Sequence, residues 1–103
     1  MKLISPELFS GRINKSGGKI TDLTSGLKFP DGNNGFFYFS LFIVPKNEST
    51  DIVYTLVDCK CMNNDSFVQT PFTLNCWEVP LLKEINVNGI DLNNFDVYYG
   101  FGK

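Results

Sequence analysis

Histidine and alanine are both missing from this chain of 103 residues, and arginine occurs once, at Arg12. Without histidine the chain loses the commonest general base, the Ser-His and Cys-His nucleophile pairs, and most zinc and copper sites. Without alanine, the best helix former, a helical bundle is not expected. No stretch approaches the ~20 apolar residues of a membrane span. The first residues, Met1-Lys2-Leu3-Ile4-Ser5-Pro6-Glu7, carry charge and a proline where a secretory leader needs an apolar run. With only three cysteines, an odd number, no closed disulfide framework is implied. A reducing cytoplasm is therefore the expected location. Glycines between Gly11 and Gly18 lack the Gly-Lys-Ser/Thr ending of a phosphate-cradling loop.

The remaining chemistry is thin. Cys59-x-Cys61 with distant Cys76 falls short of the four ligands of a tetrahedral zinc site, and the pair is expected to serve as small buried hydrophobes. Asp91 and Asp96 lie beside Asn-rich turns, where carboxylates face water or cap backbone donors instead of sharing acid–base work. The expectation is a non-catalytic protein with no cofactor and no metal.

What the chain does have is rings. Hydrophobic residues make up 43%, and ten Phe, four Tyr and one Trp bring aromatics to 15%, enough to bury a single core over residues 1–103. Aromatic and β-branched residues favour strands. The clearest strand is Phe36 to Val44, nearly continuous in apolar and ring residues and stopped by Pro45. Asp51 to Met62 reads as its partner, with Val53, Val57, Cys59 and Cys61 on one face. Leu8–Ile13 and Lys19–Leu23 read as strands flanking a turn at Asn14–Gly18, and Pro30–Gly35 as a second turn. Asn63–Ser66 turns the chain again, and Phe67–Val79 holds edge strands interrupted by Pro71. Pro80–Lys83 reads as irregular, Asn88-Gly89 as the type I′ loop of a hairpin, and Phe95–Phe101 as a terminal strand. The pattern predicts an all-β fold: an OB-like five-stranded barrel, with a small β-sandwich as the alternative.

Charge is uneven within a net −2. The first thirty residues carry +3 and the remainder −5, a basic N-terminal third on an acidic body. Eleven Asn with lysine greatly outnumbering arginine is the usage of an AT-rich coding genome, as in many phages and low-GC bacteria; if phage-encoded, the protein is expected in the host cytoplasm. Single-stranded nucleic acid is held by basic groups along its backbone and by rings on which bases stack. The candidate contacts are Arg12, Lys15, Lys19 and Lys28 for phosphates, with Tyr38, Tyr54, Trp77 and Tyr98 for bases. Tyr99 is a further ring of this kind.

Three segments carry a family resemblance: Phe9-Ser10-Gly11-Arg12-Ile13, Phe39-Ser40-Leu41-Phe42-Ile43-Val44 and Leu56-Val57-Asp58-Cys59. Over residues 8–62 their order resembles bacterial-type OB-fold single-stranded-DNA-binding proteins. The resemblance implies a β-barrel that binds single-stranded DNA without catalysis. Leu56 stands where that family has a stacking Trp, Met62 where an aromatic follows the Cys, and the family's acidic C-terminal tail has no counterpart here. The alternative function is a structural or protein-interaction domain, such as a virion component or small inhibitor, that self-associates or docks a partner through edge strands or an aromatic patch.

Overall fold

Phe39 to Val44 are all buried, so this strand has apolar neighbours on both of its faces in the computed structural model, which describes residues 13–29, 38–47, 51–77 and 81–102. Among the described residues there are seven strands where five were expected: β1 (Ile13–Ile20), β2 (Leu27–Lys28), β3 (Phe39–Pro45), β4 (Tyr54–Cys61), β5 (Val68–Thr73), β6 (Leu82–Ile85) and β7 (Phe95–Gly102). All pairings are antiparallel, in the order β1-β7-β3-β6-β4-β5 with β2 beside β6. The described residues contain no helix, and the fold is all-β.

Only β4 and β5 are both consecutive and adjacent; every other connection crosses the sheet. The chain therefore passes back and forth between two halves, β1-β7-β3 and β2-β6-β4-β5. Their strands meet at one bridge, Phe39 with Leu82, and the chain just beyond β5 returns to β3 where Asn75 N donates to Ile43 O at 2.8 Å. Between the halves lies the main core. It takes Ile20, Phe39, Leu41, Ile43 and Val97 from one side and Val57, Cys59, Phe72, Leu82 and Ile85 from the other. Period-two alternation then sends Phe42 and Val44 to the opposite face of β3, where Trp77, Leu81 and Tyr98 cover them. That second cover is why β3 reads as a continuous apolar run.

A bulge reconciles β6 with this core. Lys60 pairs with Glu84 and Cys61 with Leu82, leaving Lys83 as the extra residue. Leu82 and Ile85, three apart, can then both point inward, while Glu84 stays outside with Lys60.

Several sequence expectations are corrected. Asn14–Gly18 is no turn but part of β1, whose register slips between Ile13 and Lys15 and again between Ser16 and Gly18. Gly17 serves as a gap: a Cβ there would collide with the Tyr99 ring. Asn88-Gly89 forms no type I′ hairpin, because β6 and β7 are not neighbours. Among the described residues positive φ occurs only at Gly26 (74°) and, for a non-glycine, Asn75 (63°). The turn instead spans Asn86 to Gly89, whose N–H donates to Asn86 O at 3.0 Å. Val53, expected inside, lies just ahead of β4 and is 69% exposed. Leu82 and Lys83 belong to β6, not to an irregular stretch. Leu8–Arg12 and the Pro30–Gly35 turn fall outside the described residues.

Candidate interaction surface

Of the eight residues expected to hold nucleic acid, those whose side chains are described do not gather on one surface. Arg12 lies outside the described residues, and Lys15 sits on β1 opposite Phe101. Lys19, also on β1, is the cross-strand partner of Tyr98, with its Nζ 6.0 Å from the ring centroid. That ammonium is already paired with the Asp96 carboxylate at 3.2 Å, which Lys46 approaches at 4.0 Å from the other side. Lys28 is in the other half of the fold, on β2 opposite Glu84. Tyr38 precedes β3 and Tyr54 opens β4, both exposed, whereas Tyr98 is half-buried against the second core cluster.

Trp77 is a correction of substance. It is 2% exposed, its ring centroid 5.2 Å from that of Phe42, and it offers no free face to a base. The cause is topological: the face of β3 turned away from the main core needs an apolar cover, and the indole provides it. Its Nε1 has no hydrogen-bond partner, nor does the buried Ser40 Oγ on the same strand face as Phe42. Among those whose side chains are described, Lys19 and Tyr98 are brought together.

A different surface stands out. Leu74 N donates to Val53 O at 3.0 Å, so the even-numbered residues of β5 direct their backbone groups toward β4. In the same register Thr55, Val57 and Cys59 turn inward while Tyr54 and Leu56 turn outward, opposite Thr73 and Pro71. Ile52, Val53, Tyr54 and Leu56 are 52%, 69%, 53% and 47% exposed along one strand and its approach, Tyr54 and Leu56 on the outer face and Val53 on the other. Scattered exposed apolar residues need no explanation, but a contiguous strip does. At its start Ile52 lines a cavity of about 320 Å³ together with Pro45, Asn47, Asn94 and Phe95. Composition gave no sign of this surface, because Leu56 looks like a core residue; the signal was the polar content of the facing positions of β5, Gln69 and Thr73.

The edge and rim of the strip have a definite chemistry. Pro71 directs its backbone away from β4, so the outward row of donors along β5 is interrupted at its middle. Proline on an outer edge is a common guard against pairing with a foreign strand. Farther along β4, Lys60 pairs with Glu84 at 3.4 Å and lies 4.8 Å from the Phe67 ring centroid. Asp58 Oδ2 accepts from Asn86 Nδ2 at 2.7 Å. Lys60 is thus ion-paired within the chain, whereas Asp58 is hydrogen-bonded to a neutral amide and keeps its negative charge.

The remaining candidates are chemically quiet. Burial pushes the Cys59 thiol up to about 12, leaving it protonated and a poor nucleophile, as expected of a core cysteine. All three cysteines are free, and among the described residues no group of three or more His, Cys, Asp or Glu side chains is positioned to hold a metal. A groove of about 790 Å³ runs between Thr21–Thr24 and the 87–93 loop. Its carboxylates are tied locally, Asp22 to the Thr24 N–H and hydroxyl and Asp91 to the Asn93 N–H and the Asn94 side chain. None of the described residues forms a helix long and apolar enough to cross a membrane. Comparison with protein-family models, curated proteins and solved structures finds no match for this chain.

Proposed function

We propose that the chain is a non-catalytic protein-interaction domain that docks through the outer face of the β4–β5 hairpin. The observation that carries this reading is the exposed pair Tyr54 and Leu56 on that face, with exposed Ile52 ahead of them. An apolar surface of this kind is unfavourable in water and becomes favourable once covered. At the finer level of fold, the passage of the chain between two halves around one core favours the small β-sandwich over the OB-like barrel. A nucleic-acid interface has weaker support: Lys19 is spent on Asp96, Lys28 lies in the other half, and Trp77 is covered.

Two titrations test the proposal together. A fluorescent oligo-dT is expected to give no saturable anisotropy change at micromolar protein and low salt. A random peptide library panned against the protein is expected to yield binders that lose affinity for Leu56→Glu at unchanged melting temperature. Saturable, salt-weakened oligonucleotide binding, or a library with no Leu56-dependent binder, would overturn the reading.

A further inference from the structure

We infer that Asn88 is a deamidation site that the fold keeps shut: the 86–89 turn holds the Asn88-Gly89 pair in an unreactive form, and the reaction proceeds only when the turn opens. Asn-Gly is the sequence at which this modification is easiest, because glycine has no side chain to shield its backbone nitrogen. That nitrogen gives up its proton to base and attacks Cγ of the preceding asparagine. The new N–C bond closes a succinimide ring while the side-chain amide leaves as ammonia. Water then opens the ring to aspartate or isoaspartate. The chain has two such pairs, Asn34-Gly35 and Asn88-Gly89, of which the second lies among the described residues.

Asn88 is exposed, so water and base reach the group under attack. The attacking nitrogen is withheld. Gly89 is buried, and its N–H donates to Asn86 O at 3.0 Å, which shields the proton that base must remove. Attack also requires the peptide plane between Asn88 and Gly89 to turn its face toward Cγ. The far side of Gly89 is fixed, because Gly89 O accepts from Asp58 N at 2.8 Å. The near side is fixed as well. Asn86 N donates to Asp58 O at 2.9 Å, and the Asn86 side chain accepts from Val87 N at 2.8 Å while donating to the Asp58 carboxylate at 2.7 Å. The Gly89 α-carbon has no slack to follow a turning plane, since Ile85 Cγ2 and Asp58 O leave no room there even for a Cβ.

The reaction must therefore break at least the bonds made by Gly89 N–H and Gly89 O. Each is worth a factor of roughly five in the opening equilibrium, so Asn88 reacts ~20-fold or more slowly in the folded chain than in the unfolded one.

Peptide mass mapping of the purified full chain, aged in mildly alkaline buffer with and without urea, tests this. In urea, Asn34 and Asn88 are expected to deamidate at similar rates, and without urea Asn88 should slow by ~20-fold or more. Asn86→Ala removes the side-chain ties, leaves the reacting pair untouched, and should raise the native rate at Asn88 several-fold. If that variant does not fold, amide hydrogen exchange at Gly89 in the native chain takes its place, with strong protection expected. A native rate within about three-fold of the urea rate overturns the inference. So does a slow rate that a folded Asn86→Ala leaves unchanged, or a Gly89 amide that exchanges freely.

Discussion

Replacing Gly89 by Ala should cost about 3 kcal/mol, and the figure follows from the contacts around its α-carbon. Gly89 is buried where the 86–89 turn presses against β4. Asp58 N donates to Gly89 O at 2.8 Å, and Asn86 N donates to Asp58 O at 2.9 Å. A Cβ on Gly89 would stand 2.5 Å from Ile85 Cγ2, 2.7 Å from Asp58 O and 3.0 Å from Asn86 O. Ile85 is fully buried and the other two atoms are backbone, so none of the three can yield cheaply. Overpacking a filled site costs ~1–3 kcal/mol, and each hydrogen bond strained by the retreat of the turn adds ~1 kcal/mol. For a domain of this size that is a loss of ~12 °C or more in melting temperature. Thermal and urea denaturation followed by Trp77 fluorescence read the effect. Gly89→Asn sharpens the test: a type I′ turn tolerates Asn, whereas a crowded α-carbon suffers more from it than from Ala. If both variants stay within ~0.5 kcal/mol of the parent, or if Asn is the milder, the packing argument is wrong.

Other substitutions probe the core and the strip separately. Ser40→Ala removes a buried hydroxyl that has no partner and should stabilise the protein by ~1 kcal/mol, whereas a clear loss in chemical denaturation would reveal a bond to Ser40 Oγ. Leu56→Thr keeps a β-favouring residue on an exposed site, so stability should move by no more than ~0.5 kcal/mol; a drop of several kcal/mol would show the strip to be core. Cys59 makes stability depend on pH in the alkaline range. Its folded pKa of about 12 lies above the ordinary thiol value of 9.0, so the unfolded chain loses the proton first. The full contribution is present below pH 9.0 and falls by about 1.4 kcal/mol per unit as pH rises toward 12. Urea titrations at stepped pH should show this slope flattened in Cys59→Val, and an identical slope in the variant would contradict it.

Much of the fold was legible in the sequence, for local reasons. The ring and β-branched run of β3 declared a strand with cover on both sides, and Pro45 marked its end. The period-two spacing of Val57, Cys59 and Cys61 gave the inner face of β4. The glycines misled because glycine has two uses, positive φ and close approach, and the sequence around Gly17 and Gly89 does not say which applies. Both serve close approach, to the Tyr99 ring and to the Asp58 carbonyl, and those neighbours are distant in sequence. The site was less legible still. Residue type marks Trp77 and Leu56 as a stacking ring and a core aliphatic, yet topology buries the first and exposes the second. Exposure is decided by which strand needs cover, and only the strand order supplies that.

The most direct test of the docking face is a pair of ¹⁵N amide correlation series on the native chain, one with a peptide selected from the panned library and one with added oligo-dT. Peptide-induced shifts confined to Ile52–Leu56 and the facing residues of β5, with no response to the oligonucleotide, are the result predicted here. Oligonucleotide shifts gathering at Lys19, Lys28 and Tyr98, with the β4–β5 face unmoved, would contradict the account and return the molecule to nucleic-acid binding.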